Sequence, residues 1–118
     1  MSKRILLVED EKPLCLLYEE ELSKEGYDVM AVTDAEAALE ALEKGPFDLI
    51  VTDIRMPGKD GIELITHIMG RRRDIPIIIN SAYQSYKEDF MTWAADAYVV
   101  KSSSLDELKA KIRQLLDR

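Results

Sequence analysis

Apolar runs and amphipathic stretches alternate along this chain in a regular rhythm. Arg4 to Val8 is apolar after its first residue and stops at Glu9-Asp10-Glu11. Pro13 then fits a first helical turn, and Leu14, Leu17, Tyr18 and Leu22 recur at helical spacing until Gly26 ends them. Tyr27 to Val32 alternates more, as a less buried strand does. Thr33-Asp34-Ala35-Glu36 reads as a capping box. It opens a helix with Ala35, Ala38, Leu39 and Leu42 inward, closed by Gly45-Pro46. Phe47 to Thr52 is a strand that halts on Asp53, and Ile54-Arg55-Met56-Pro57-Gly58 follows as a loop.

The second half keeps the same order. Asp60-Gly61 leads into a helical stripe of Ile62, Ile65, Ile68 and Met69. Ile75 to Ile79 is the most apolar run and gives way to Asn80-Ser81. Ser85-Tyr86-Lys87-Glu88 is a second capping box, before a helix reaching about Ala94. Ala97 to Val100 is a short strand entering Lys101. Ser104-Leu105-Asp106-Glu107 caps a last helix with Leu105, Leu108, Ile112 and Leu115 inward.

Strand-then-helix units repeated in this way predict an α/β fold with a five-stranded parallel sheet, doubly wound, in the order 2-1-3-4-5. The first, third and fourth strands are nearly unbroken Ile, Leu and Val, which suits strands covered on both faces. Ligands of such sheets sit beyond the carboxyl ends of the strands, at the switch point between strands 1 and 3. The polar residues converge there. Glu9 and Asp10 end strand 1, Asp53 ends strand 3, Ser81 ends strand 4 and Lys101 ends strand 5.

The 118 residues make one domain, 1–118, with no linker, repeat or low-complexity stretch. A net charge of −7 argues against direct nucleic-acid binding. The one basic run, Arg71-Arg72-Arg73, reads as a solvated helix end. No apolar run approaches the roughly 20 residues of a membrane helix, and the start is too short for a secretory signal. The single Cys15 reads as core filling. These features place the expected protein in the cytoplasm.

Three carboxylates in one cleft repel. Two like charges about 4 Å apart cost about 4 kcal/mol at an effective dielectric of 20. A hard divalent cation relieves this, and carboxylates suit Mg²⁺. Asp10 and Asp53 are expected as direct ligands, with Glu9 acting through water. The one histidine, His67, sits on a polar helical stretch and reads as surface. Lys101 and the Ser81 hydroxyl, together with a metal, would hold a phosphoryl group. Asp53, the central acid, is then the nucleophile.

Four motifs carry a family resemblance over nearly the whole chain. They are Ile5-Leu6-Leu7-Val8-Glu9-Asp10-Glu11, Asp53-Ile54-Arg55-Met56-Pro57-Gly58 with Asp60-Gly61, Ser81-Ala82-Tyr83, and Tyr98-Val99-Val100-Lys101. In order and spacing the chain resembles the receiver domains of two-component response regulators. The resemblance implies a flavodoxin-like (βα)5 fold. It also implies that Asp53 accepts phosphate from a sensor histidine kinase or phosphotransfer protein. Glu9, Asp10, Asp53 and the backbone carbonyl of Arg55 would hold Mg²⁺, and Lys101 would contact the phosphoryl group. Ser81 and Tyr98 would form the switch pair, with Tyr98 turning from a partly exposed to a buried position on phosphorylation. Such a module catalyses only its own phosphorylation and dephosphorylation. Its output would be a downstream protein partner, or an output domain absent from this chain. The changing face would be the fourth helix, fifth strand and fifth helix. There Lys87, Asp89, Asp96 and Lys109 could pair across a homodimer.

The chain departs from the family pattern after Lys101, where Ser102-Ser103-Ser104 replaces the usual proline. That peptide is expected to be trans. Arg55 and Tyr83, two positions beyond Asp53 and Ser81, are placed to screen an acyl-phosphate from water. Phe90 and Trp93 read as core or interface. A Mg²⁺-dependent phosphohydrolase is the rival reading, but it needs a second acid where Arg55 stands. A scaffold that never takes phosphate would leave the acid cluster without a purpose.

Overall fold

Parallel pairing sets the carboxyl ends of all five strands along one edge. The computed structural model describes residues 2–53, 74–82, 96–102 and 104–117. Its strands are β1 (Arg4–Val8), β2 (Asp28–Val32), β3 (Leu49–Thr52), β4 (Ile77–Ser81) and β5 (Ala97–Val100). Its helices are α1 (Lys12–Lys24), α2 (Ala35–Lys44) and α3 (Asp106–Leu116), the last being the final helix of the sequence reading. The sheet order is β2-β1-β3-β4-β5, as expected. The helices anticipated near 62–69 and 85–94 lie outside the described residues. No described helix is long and apolar enough to cross a membrane.

Alternation along the inner strands divides the core in two. Leu6, Val8, Ile50, Ile77, Ile79 and Tyr98 share one face with the buried alanines of α2. Ile5, Leu7, Leu49, Val51, Ile78, Ala97 and Val99 share the other with α1 and α3. Both faces are covered, so these strands need no polar positions until they end.

Local chemistry sets the boundaries, sometimes one step from expectation. Gly26 adopts φ 98°, and its N–H bonds Ser23 O while Tyr27 N–H bonds Leu22 O. This double closure terminates α1 and needs a residue without a Cβ. Asp34, not Thr33, caps α2, accepting from Ala37 N at 2.7 Å. The Ser104 hydroxyl oxygen accepts from Asp106 N at the start of α3. Strand β4 starts at Ile77 because Pro76 has no N–H to give the ladder. Asp96 closes that end, its carboxylate accepting from Ile77 N at 2.9 Å. The inward side of α1 is Cys15, Tyr18 and Leu22. Leu17, expected inside, is 46% exposed. It stands about 100° around the helix from Tyr18, off the buried stripe.

The far edge is tied by Arg4. Its guanidinium lies 3.3 Å from Asp28, donates to Pro46 O at 3.0 Å and sits 4.7 Å over the Phe47 ring. Lys109 of α3 lies 3.1 Å from Glu21 of α1, and Arg113 lies 3.2 Å from Glu25. Lys109 is thus engaged within the chain and Asp96 at the head of β4. Asp96 is exposed there, and Lys87 and Asp89, the other two residues expected to pair across a homodimer, lie outside the described residues.

Candidate functional site

Three strands continue their ladders one residue past their ends. Glu9 N donates to Val32 O at 3.0 Å, Asp53 N to Val8 O at 3.1 Å, and Lys101 N to Ser81 O at 2.7 Å. The alternation therefore continues too. Glu9 follows Ile5 and Leu7, Asp53 follows Leu49 and Val51, and Lys101 follows Ala97 and Val99, all on the α1/α3 face.

There the Lys101 ammonium lies 2.6 Å from Glu9 Oε1 and 2.7 Å from Asp53 Oδ2. Glu9 is 1% exposed and the Lys101 side chain 13%. The second oxygen of Glu9 accepts from Glu11 N at 3.2 Å. Asp10 completes the group, with one oxygen of each of Glu9, Asp10 and Asp53 within 4.8 Å of the others. The Thr52 hydroxyl donates to Asp53 O at 2.9 Å, fixing the backbone beneath the acid.

The titration shifts of this pair point to different balances. Burial pushes the Glu9 carboxyl up, and its contact with Lys101 only partly offsets this. Burial pulls Lys101 down, yet its bonds to Asp53 and Glu9 outweigh that and raise it above the ordinary 10.5. The difference is physical. The ammonium has two anions, whereas Glu9 shares its cation and also faces Asp53. Lys101 is therefore charged at neutral pH.

Among the described residues, three carboxylates gather around one ammonium, so acid outnumbers base in the cluster. The donors are all hard oxygens at mutual distances that one small ion can bridge, so the residues present fit Mg²⁺. The backbone of Arg55 and the side chain of Tyr83 lie outside the described residues. Ser81 is fully buried at the end of β4, on the opposite side of the strand from Asn80. Tyr98 is 3% exposed, packed among the residues of the α2 core. The Lys101–Ser102 peptide is trans, as expected. Sequence reasoning passed over Asn80, a buried polar residue that breaks the isoleucine run of β4. That break in composition was the available signal.

Comparison with known proteins gives one consistent result. The response regulator receiver domain family matches residues 5–113. Transcriptional regulatory protein RprY of Bacteroides fragilis is 38% identical over 98% of this chain. The chain spans about half the length of that curated relative, 50%. Response regulator protein TrrA of Thermotoga maritima, crystallised with Mg²⁺-BeF, is 45% identical, with TM-score 0.91 over 97% of this chain and 99% of that one. A chain from the crystal structure of histidine kinase ThkA in complex with TrrA is also 45% identical, with TM-score 0.89 over 97% and 98%. Because the family match begins within β1 and ends within α3, it takes in every strand that carries the cluster, and this chain belongs to the response regulator receiver domain family.

Proposed function

We propose that the chain is a phosphoacceptor signalling module in which Asp53 takes a phosphoryl group from the phosphohistidine of a sensor kinase or phosphotransfer protein. One observation carries this reading, the Lys101 ammonium seated between Asp53 and Glu9 with Asp10 beside them. A carboxylate so placed is a nucleophile with its countercharge already organised. An Asp53 oxygen attacks phosphorus, the new O–P bond forms, and the N–P bond breaks with its electron pair returning to the imidazole. Lys101 follows the charge onto the phosphoryl oxygens, and the Ser81 hydroxyl donates to another. Mg²⁺, held by Glu9, Asp10, Asp53 and the Arg55 carbonyl, would supply the charge that lets a dianionic group approach three carboxylates. Hydrolysis reverses the state: water attacks phosphorus, the bond to Asp53 breaks, and inorganic phosphate leaves. Both steps act on the protein's own side chain, so it is not a turnover enzyme.

The relative TrrA carries Mg²⁺-BeF in one crystal structure and is bound to a histidine kinase in another, which supports this assignment of cofactor and partner. The signal passes from Ser81 through Tyr98 to the surface around β5 and α3, as a shift between two populations. That surface meets a downstream protein or the output region of a longer regulator.

Incubation with Mg²⁺ and a small acyl-phosphate donor, followed by intact mass, tests the reading. One phosphoryl group is gained, and Asp53→Asn gains none. A parent protein that gains no mass, or that releases phosphate through many turnovers, removes it; the second outcome would favour a phosphohydrolase.

A further inference from the structure

Strand β4 ends on two polar residues that address different sides of the sheet. Ile79 packs in the α2 core and Ile78 in the α1/α3 core, so Asn80 returns to the α1/α3 face. Glu9, Asp53 and Lys101 share that face. Thr52 pairs with Ile79, so the next rung sets Asn80 beside Asp53, about 4.8 Å away across the strands. Asn80 itself pairs with Val99, two residues before Lys101 on the same side.

Asn80 is only 4% exposed, yet its carboxamide makes no hydrogen bond among the described residues. What exposure it keeps falls on the amide, because no fully buried side-chain N or O there lacks a partner. Placing an amide on an otherwise apolar strand, with only its polar tip reaching solvent, is unfavourable beside an apolar side chain. Valine or isoleucine would fill this strand position without that cost. Lys101 supplies the complement. Its ammonium has three N–H donors, and Glu9 and Asp53 take two.

We propose that Asn80 is a positioning residue for Lys101. Its carboxamide oxygen receives the ammonium when a phosphoryl group on Asp53 and a cation among the carboxylates draw Lys101 away from Glu9. This rests on Asp53 being the phosphoacceptor. The amide then holds the lysine at the phosphoryl oxygens, where the charge is needed, instead of leaving it to solvent. Ser81 grips the phosphoryl group directly, and Asn80 grips the residue that neutralises it.

Asn80→Val, Lys101→Met and the double variant decide the matter, using the full chain with Mg²⁺ and a small acyl-phosphate donor. Asn80→Val keeps or raises the urea midpoint but takes up phosphate about tenfold more slowly, the size of one lost hydrogen bond to a charged group. The loss falls on the maximal rate, not on the donor concentration at half-rate. In the Lys101→Met background, adding Asn80→Val changes the rate by less than about twofold, because the two act through one contact. Uptake by Asn80→Val at the parent rate overturns the proposal, as does equal slowing in both backgrounds. Failure of Asn80→Val to fold also overturns it, since the amide would then be structural. A parent that takes no phosphate sinks the phosphoacceptor reading first and this inference with it; an unaffected variant of a phosphorylatable parent sinks this inference alone.

Discussion

Lys101 and Glu9 meet at 2.6 Å although two strands, β3 and β4, lie between theirs. Their backbones are three strand spacings apart, roughly 14 Å. Two long side chains are needed to close that span, and the extra methylene of Glu9 over aspartate is part of the reach. The contact makes Lys101 the described cation that holds the acid cluster together.

Lys101→Met therefore leaves three carboxylates facing one another. Breaking such a pair strands a buried charge, and allowing for the open mouth of the cleft the loss is about 2–3 kcal/mol. Urea unfolding without added metal shows it. Millimolar Mg²⁺ restores part of the loss, since the ion binds the folded state alone.

Asp10 tests the opposite sign. It adds to the repulsion and makes no ion pair among the described residues. Asp10→Asn is expected to raise stability by about 1 kcal/mol, because removing a like charge from a functional cluster relieves strain. The same change weakens Mg²⁺ affinity, measured by calorimetric titration. A site kept for structure would show neither effect.

Much of this was legible in the residues, and the failures are local. Unbroken Ile, Leu and Val in β1, β3 and β4 announced strands covered on both sides, and the polar residue after each announced the edge. What could not be read was contact. Residues sharing an edge need not touch, and the 2.6 Å meeting of Glu9 with Lys101 depends on how far each side chain leans. Leu17 was misplaced because Leu14, Leu17, Tyr18 and Leu22 fit a helical stripe as well as Cys15, Tyr18 and Leu22 do. Only the sheet beneath α1 chooses between them. Thr33 and Asp34 are both good caps, and backbone geometry at Asp34 decides. The partner of Lys109, Glu21, lies 88 residues earlier in the chain, a pairing that no local pattern shows.

Stability declines toward alkaline pH through Cys15. Burial raises this thiol above its ordinary 9.0, with Glu19 and Glu9 adding to the shift. Above pH 9.0 the unfolded thiol ionises while the folded one stays protonated, so the unfolded state gains and stability falls. Urea midpoints from pH 8 to 10.5 should fall, and Cys15→Ala should flatten the part due to the thiol. Labelling of Cys15 by iodoacetamide at pH 8 should be slow, because the reactive thiolate is scarce and buried.

A last prediction concerns recognition. Leu16 and Leu17 are 65% and 46% exposed on α1, the helix that begins directly after the acids of β1. Adjacent exposed leucines on the helix that follows Glu9 and Asp10 suit a partner that, on the proposed function, brings its phosphohistidine to Asp53. The related TrrA is crystallised with a histidine kinase, so such a partner has a precedent. Leu16→Gln with Leu17→Gln should leave the urea midpoint nearly unchanged, within about 0.5 kcal/mol, since neither side chain is buried. Uptake from a small acyl-phosphate donor should also be unchanged, because that donor needs no protein surface. Transfer from a phosphorylated kinase should fall about tenfold, the usual cost of truncating an interface anchor. Met30, exposed on β2, provides the control: Met30→Gln should slow neither reaction. If all three proteins accept phosphate from the kinase at one rate, α1 is not where the kinase binds.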